Sequence, residues 1–385
     1  MHNNRLLVFQ CNQKDKIIEH FMNLLIQIVL AIPCFYVLCN FCFRYLTSSG
    51  GIGNKNNSSE IINKVFVFSL TCVLIFITGF RSRDGLSFDY GNYESIYYGF
   101  KDLSWKETIS NGKGEILFSL LYKICGEITN YNIVPFMFII AVATIIPIMK
   151  YFSNESCNPW ISVLLLLTIG SFWTCFNTSR QYLAAAMYIS TYKHIKEKNF
   201  FKYLLLVLLI SFVHISTIVM LPFYWLLNIH WDFRRRAGKS LGLLCFITIG
   251  VLFSTRIIKS LVPPALFTVE LMRDHNSPVQ LIRPLSVLVL LFFNLRNMNF
   301  ENRKDLFLFN STFFYFVIFC MTLSFKIFQR WSYFVVFPTL IAVPNIISRI
   351  KSKDTRFFYY IIFMILPIAY AVGTLSKTTF TFFWD

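Results

Sequence analysis

Long runs of apolar residues constrain the fold of this chain more than any other feature. A transmembrane helix needs about 20 mostly apolar residues to cross roughly 30 Å of hydrocarbon. Such runs recur along the chain, at residues 22–43, 63–80, 131–151, 158–176, 179–195, 199–230, 239–258, 279–298, 304–325, 328–349 and 357–376. Together they leave room for about 11–12 transmembrane helices with short connections. The sequence therefore predicts an all-α polytopic membrane protein.

Little of the chain remains for a soluble domain. Charged residues make up 14% of the sequence, against roughly 25% in ordinary soluble domains. We therefore predict an N-terminal tail at residues 1–20, followed by a single integral membrane domain at 21–385 that includes an external loop at 81–130. The net charge of +17 does not come from a basic domain, so nucleic acid is not an expected partner. Cytoplasmic loops rich in Lys and Arg account for it.

Four clusters of Lys and Arg set the expected orientation. They occupy residues 193–202, 234–239, 296–304 and 349–356, and the positive-inside rule assigns such clusters to the cytoplasm. The apolar run at 199–230 has a cluster at each flank, so the chain must cross the membrane an even number of times between them. Polar residues around His214 interrupt its middle. This predicts a hairpin of two half-length helices, broken near His214 toward the outer side, and both termini outside.

Other arginines do not follow the positive-inside rule. They stand singly at or near the predicted outer ends of spans, at Arg81, Arg83, Arg180, Arg256, Arg273, Arg283 and Arg330. An unpaired arginine at such a depth is costly, which makes it a candidate for function. The alternative is that each side chain extends to the headgroups of the outer leaflet.

The longest stretch that is not apolar, residues 81–114, has the composition of a sugar-binding surface. It contains Asp89, Tyr90, Asn92 and Tyr93 among further tyrosines and carboxylates. Aromatic rings stack on the C–H faces of sugars, while carboxylates and amides bond their hydroxyl groups. An amphipathic loop at the membrane interface has the same composition, so both interpretations stand. Glu115 follows, at the start of a predicted short helix in the outer interface.

Two predicted external turns bring an arginine to the start of a helix. In the turn that includes Asn177 and Gln181, Arg180 lies in the first turn of a new span, where free N–H groups and a guanidinium form an anion site. Simple helix capping is the alternative there. In the other turn, Arg330 and Tyr333 are three residues apart, on one helix face. His214 is either a general base or a histidine that is hydrogen-bonded across the break in its own hairpin.

Several catalytic motifs are absent from the sequence. It contains no P-loop, no His-Glu-x-x-His, no Asp-x-Asp pair, no Gly-x-Ser-x-Gly and no dinucleotide-binding glycine motif. ATP hydrolysis, zinc proteolysis and metal-dependent transfer from nucleotide sugars are therefore disfavoured. We expect neither a metal nor a cofactor. The chemistry that remains is binding of an anionic substrate group by arginines.

Five motifs together resemble the EpsG/Wzy-like polysaccharide polymerases of bacterial inner membranes. An Arg-Gly-Asp-Tyr-Asn-Tyr pattern of that family matches residues 81–93, and a Glu that opens a short helix matches Glu115. The remaining three are Asn-x-x-Arg-Gln-x-x-Ala at 177–184, Phe-x-His-x-Ser at 212–216 and Arg-x-x-Tyr-Phe at 330–334. They occur in the family's order, over about residues 60 to 350.

This resemblance implies a lipid-diphosphate-dependent glycosyltransferase. Such an enzyme joins oligosaccharide repeat units carried on undecaprenyl diphosphate, at the outer side of the inner membrane, with an active site that faces the periplasm or exterior. Its expected partners are this lipid-linked substrate, membrane lipid and a chain-length regulator protein. The alternatives are a flippase or transporter of the same lipid-linked sugar, or a ligase that moves finished glycan to another acceptor.

With this resemblance, the candidate residues receive roles. The diphosphate would be bound by Arg81, Arg83, Arg180 and Arg330, and the sugar by Tyr90, Asn92, Tyr93, Gln181 and Tyr333. The acceptor hydroxyl needs a base within hydrogen-bond reach, for which we favour Asp89, then Glu115, then His214. Whether the product is O-antigen, capsule or exopolysaccharide stays open.

Overall fold

The computed structural model describes residues 57–85, 89–112, 114–169, 172–231, 237–261, 278–375 and 380–382. These residues form two compact units. The first comprises those up to Ser153, Pro159–Leu183 and those from Ile361 onward, and the second comprises Asn154–Asn158 and Ala184–Tyr360. The predicted tail at 1–20, the first predicted span at 22–43 and Arg273 lie outside the described residues. The single domain at 21–385 stays a prediction.

The first unit consists of helices and one short ribbon. In chain order its elements are α1 (Asn57–Gly79), β1 (Arg81–Gly85), α2 (Tyr90–Gly99), α3 (Trp105–Ser110), α4 (Ile116–Thr129), most of α5 (Ile133–Glu155), α6 (Pro159–Thr168), a 3-10 turn at Trp173–Phe176, the start of α7 (Ser179–Tyr188), the end of the last helix (Lys353–Leu375) and β2 (Phe380–Phe382). The strands β1 and β2 pair antiparallel, with Arg81 opposite Phe382 and an irregular register before Gly85.

All the secondary-structure elements in the described part of the second unit are helices. After the rest of α7 it contains α8 (Tyr192–Lys196), α9 (Phe200–Ser211), a 3-10 helix at Ile215–Met220, α10 (Phe223–Leu226), α11 (Ala237–Leu261), α12 (Ile282–Phe293), α13 (Arg303–Thr322), α14 (Gln329–Ser332), α15 (Val336–Ile347) and the start of α16 (Lys353–Leu375). Further 3-10 turns occupy Ile189–Thr191, Pro278–Leu281, Leu295–Asn297 and Lys326–Phe328.

Two of the described helices, α5 and α13, are long and apolar enough to cross a membrane alone. A third candidate is the segment Lys326–Ser332 together with α15, which are bent by 58° at the break between them. Six shorter apolar helices accompany them, at Val67–Gly79, Pro159–Thr168, Phe200–Ser211, Ile215–Leu226, Gly238–Phe253 and Ile282–Phe293. The chain is a polytopic α-helical membrane protein, as predicted, with the short β1–β2 ribbon in addition. The number of 11–12 spans stays a prediction, because several apolar runs are divided into shorter helices.

The hairpin predicted at residues 199–230 is present. Helix α9 ends at Ser211, and His214 is extended, with φ −151° and ψ 113°. The chain then returns through the 3-10 helix and α10. The Tyr203 hydroxyl donates to the Met220 carbonyl oxygen, and the rings of Tyr203 and Tyr224 are 5.3 Å apart. The two arms therefore pack against each other, and the break falls at the polar interruption that the sequence indicates.

Two ion-pair clusters tie helix ends together within the second unit. Glu155 is 3.0 Å from Nζ of Lys196 through one carboxylate oxygen and 3.0 Å from Nζ of Lys304 through the other. Asp305 is buried and accepts two hydrogen bonds from the guanidinium of Arg349, at 2.5 and 2.8 Å. Each carboxylate is thus paired through both of its oxygens.

The predicted external loop folds into three short helices, α2, α3 and α4. Helix α3 begins with a capping box, in which the Ser104 hydroxyl accepts the Glu107 N–H and the Glu107 carboxylate accepts the Ser104 N–H at 2.8 Å. Helix α4 carries apolar residues on two faces. It buries Phe118 and Tyr122 and exposes Leu117, Ile124 and Ile128 on the other face.

Candidate active site

An ion pair joins the start of α7 to the start of α4. Helix α7 begins at Ser179, so Arg180 is in its first turn, and its Nη1 is 2.8 Å from Oε2 of Glu115. Glu115 is the residue immediately before α4, and its side chain is 13% exposed, against 36% for Arg180. The Glu115 side chain is therefore enclosed, while more of the Arg180 side chain stays exposed.

Aromatic rings surround the rest of Arg180. Its guanidinium carbon lies 5.6 Å from the centre of the Tyr93 ring and 5.9 Å from that of Phe118. The backbone N–H of Arg180 also donates to the Tyr93 hydroxyl at 3.4 Å. A guanidinium over an aromatic face is stabilised by about 0.5–2 kcal/mol, depending on desolvation. These contacts hold the guanidinium in one orientation without neutralising its charge.

A second arginine, Arg81, is buried below the same turn. Its Nη1 donates to the Thr78 carbonyl at 2.5 Å and its Nη2 to the Ser179 hydroxyl at 2.6 Å. The Ser179 hydroxyl in turn donates to the Cys175 carbonyl at 3.0 Å. Arg81 therefore links the end of α1 to the first residue of α7, and burial lowers its pKa.

The positive charge of Arg81 has no carboxylate partner among the side chains that the structure describes. Arg81 is 2% exposed, and besides its hydrogen bonds its guanidinium carbon lies 5.5 Å from the centre of the Phe176 ring. Burying a charge without a partner is strongly unfavourable. An anion bound nearby would compensate it, which makes this turn a candidate anion site.

Tyrosines of α2 face the two arginines. Tyr90 and Tyr93 are 4% and 6% exposed, and both are close enough to Arg81 to interact with its charge. Burial, followed by the nearby charge of Glu94, raises the pKa of Tyr90 to about 12. Its phenol is therefore neutral at physiological pH and can donate a hydrogen bond to a ligand.

The other site residues predicted in the first unit are sequence neighbours of the two arginines and the two tyrosines. Asp89 precedes α2 and is half-buried, and the exposed Asn92 has its amide nitrogen 3.5 Å from the Asp89 carboxylate. Gln181 is buried in the first turn of α7. Arg83 lies on β1, and its side chain is outside the described part. The structure thus brings Arg81, Tyr90, Tyr93, Glu115 and Arg180 together.

Three predicted residues belong to the second unit. His214 precedes the 3-10 helix of the hairpin, where its carbonyl accepts the N–H and the hydroxyl of Thr217 at 3.0 and 2.8 Å. Arg330 lies in the short helix α14, and Tyr333 is buried at its end. Arg330 and Tyr333 lie at the bend before α15, and His214 lies at the break of the hairpin.

Sequence reasoning did not select Phe118, Tyr122 or the hydrogen bond between Ser179 and Arg81. Phe118 is three residues after Glu115, so the periodicity of α4 was a signal for it. Tyr122 is one turn further along the same face and is near enough to Arg180 to interact with it. In the described part of the chain, no group of three or more His, Cys, Asp or Glu side chains could hold a metal ion.

Fold and site together define a polytopic α-helical membrane protein with positive charge and tyrosines gathered at the start of one helix. The EpsG family model matches residues 64–384, a range that includes all the candidate residues. The chain belongs to the EpsG family, which indicates a polysaccharide polymerase in general terms. No curated protein matches the chain. No solved structure matches it.

Proposed function

We propose that the chain polymerises polysaccharide from oligosaccharide repeat units linked to undecaprenyl diphosphate, at the outer side of the bacterial inner membrane. One observation carries this proposal. Arg81 donates to the first residue of α7 and Arg180 is the second residue of that helix, and Glu115 is the one described carboxylate in an ion pair with either arginine. The two guanidinium groups therefore outnumber the one carboxylate paired with them, which suits a diphosphate.

The reaction needs positive charge at the leaving group. The acceptor hydroxyl oxygen attacks the anomeric carbon of the growing glycan, and the bond from that carbon to the diphosphate oxygen breaks. The electron pair of this bond leaves with undecaprenyl diphosphate, and the hydroxyl proton passes to a base. Arginines hold phosphates through strong, charge-assisted hydrogen bonds. Loss of one such contact in the transition state costs about 10²–10³ in rate, and no step here requires a metal ion.

We assign different roles to the arginines. Arg180 is partly exposed and contacts the diphosphate. Arg81 is buried and donates through both Nη atoms, so it holds the turn and adds positive charge through a medium of low dielectric constant. Arg83 and Arg330 are further candidate ligands of the diphosphate.

We favour Asp89 as the base. Glu115 accepts from Arg180 at 2.8 Å, so its first task is to orient that guanidinium, and His214 is the third candidate. Asp89 is half-buried at the start of α2, one turn before the ring of Tyr93 that contacts Arg180. Tyr90, Asn92, Tyr93, Gln181 and Tyr333 are the proposed sugar contacts.

The test uses full-length protein in phospholipid vesicles with a polyprenyl-diphosphate-linked repeat unit as substrate. Arg180→Ala should lower the rate of polymer formation by at least about 10²-fold. Arg349→Ala is the control at another arginine that is paired with a carboxylate, and the fraction of this variant that folds should polymerise at the wild-type rate. In cells, Arg180→Ala should accumulate single lipid-linked repeats. Polymer of normal length and rate from Arg180→Ala would contradict the proposal. Repeat units stranded on the cytoplasmic leaflet in a deletion strain would indicate a flippase, and long lipid-linked polymer in that strain a ligase.

A further inference from the structure

Lys123 of α4 joins the end of α2 to α4. Its side chain is almost completely buried, and its Nζ donates to the carbonyl oxygens of Phe100 and Lys101, both at 3.3 Å. Glu127, one turn along α4, is 3.3 Å from the same nitrogen. Helix α2 ends at Gly99, so an ammonium group placed here meets carbonyls at the negative end of the helix dipole.

Neighbouring groups strengthen this junction. The Tyr131 hydroxyl donates to the same Phe100 carbonyl at 3.2 Å, and the Tyr131 ring centre is 5.9 Å from Nζ of Lys123. One turn back in α2, the hydroxyls of Tyr97 and Thr129 are 3.0 Å apart. The carboxyl-terminal half of α2 is thus fixed to α4 by several hydrogen bonds, among which Lys123 supplies the charge.

The amino-terminal halves of the same two helices hold Arg180. Helix α2 provides the Tyr93 ring, and α4 provides the Phe118 ring and begins directly after Glu115. Eight residues of sequence separate Glu115 from Lys123, or about 12 Å of helix. A change in the angle between α2 and α4 at Lys123 would therefore alter the position of Tyr93 relative to Glu115, with Arg180 between them.

We propose that Lys123 is a positioning residue of the polymerase site. By fixing α2 against α4, it holds Tyr93 and Glu115 in the arrangement that orients Arg180 toward the diphosphate. It acts through these contacts and does not itself touch the substrate. This inference rests on the proposed function.

Three variants test it in the vesicle assay. Lys123→Met keeps an unbranched side chain of nearly the same length and removes its N–H donors. We expect kcat/KM to fall about tenfold to a hundredfold, because small misplacements remote from the reaction have effects of this size. Lys123→Arg, which can still donate to both carbonyls, should restore activity to within about threefold of the wild type. Lys101→Met is the matched control, since this neighbouring lysine is exposed, and its activity should be unchanged.

The decisive measurement is coupling with Arg180. If Lys123 acts through Arg180, Lys123→Met should cost much less in an Arg180→Lys background, since residues of one network are not additive. The same fold-loss in both backgrounds would overturn the inference and leave only a general structural role. Normal kinetics of Lys123→Met beside an inactive Arg180→Ala would overturn it as well. Full activity of Arg180→Ala would instead refute the proposed function.

A milder variant keeps the test valid if Lys123→Met fails to accumulate. Tyr131→Phe removes the second donor to the Phe100 carbonyl and leaves Lys123 in place. We expect a smaller loss of kcat/KM than for Lys123→Met, with the same reduction of that loss in the Arg180→Lys background. A loss of equal size in both backgrounds would contradict the inference.

Discussion

The charged cluster of the first unit and those of the second use the same residue types in different ways. In the second unit, both oxygens of Glu155 meet a lysine, and both oxygens of Asp305 meet Arg349. The hydrogen bond with Asp305, partly offset by burial, raises the pKa of Arg349. In the first unit, Arg81 and Arg180 share a single ion pair among the described residues, the one between Arg180 and Glu115. Their guanidinium groups also contact the aromatic rings of Phe176 and Tyr93. The clusters of the second unit join helix ends, whereas the cluster of the first unit has positive charge left for a ligand.

Exchanging the charges of the ion pair tests this comparison with the largest expected effect. The double variant Arg180→Glu with Glu115→Arg keeps a pair at the same place, and a carboxylate at the start of α7 suits the helix dipole. If the pair were only structural, activity would return. We expect a loss of at least about 10²-fold in polymer formation, as in Arg180→Ala, with normal amounts of folded protein. Recovery of the wild-type rate would place the pair in the same class as Asp305 and Arg349.

Neutralising one carboxylate in each cluster should have two different effects. It should lower the rate of polymer formation in the first unit and the thermal stability of the protein in the second. Glu115→Gln leaves Arg180 in place with a weaker partner, so the rate of polymer formation should fall about tenfold. Glu155→Gln is the matched control. It should lower the midpoint of thermal unfolding, because two lysines lose their partner, and leave the rate within about twofold. A change of rate in Glu155→Gln as large as in Glu115→Gln would remove the distinction between the clusters.

The aromatic contacts of Arg180 predict a smaller effect. Tyr93→Phe keeps the ring beside the guanidinium and removes the hydroxyl, which accepts the Arg180 backbone N–H at 3.4 Å and also hydrogen-bonds the Arg180 side chain, so kcat/KM should change by about threefold. Tyr93→Leu loses the ring itself, worth about 1 kcal/mol, or about fivefold in rate. The ratio of kcat/KM between Tyr93→Phe and Tyr93→Leu measures the contribution of the ring alone. Equal losses in both would show that the hydroxyl group matters more than the ring.

Local sequence patterns predicted much of the fold and part of the site. The polar interruption at His214 predicted the break of the hairpin, and Glu115 and Arg180 were correctly expected at the starts of α4 and α7. The reason is that helix boundaries depend on residues within one or two turns. The ends of the helices inside the apolar runs were predicted less well. A continuous apolar run does not reveal that α6 ends at Thr168.

The contacts within the site were beyond such reasoning. Arg180 and Glu115 are 65 residues apart in sequence, and Arg81 and Ser179 are 98 apart. Which side chains meet over such distances depends on how helices pack, and no local period encodes that. The pairing of Arg81–Gly85 with Phe380–Phe382 was missed for a related reason, because strands this short carry no recognisable alternation.

Substitution of Glu107 should have the smallest effect of these changes. This carboxylate differs from those of both clusters, because it caps a helix and forms no part of an arginine or lysine pair described above. It is exposed and caps α3, and the hydrogen bonds from Ser104 lower its pKa. Its pKa in the folded state is below its unfolded value, so its contribution to α3 is complete above the unfolded pKa and is lost as the pH falls through the folded one. Glu107→Ala should therefore reduce the hydrogen-exchange protection of residues 105–110 at neutral pH and make that protection less sensitive to acid. The rate of polymer formation should stay unchanged, and a loss comparable to that of Glu115→Gln would instead show that α3 belongs to the site.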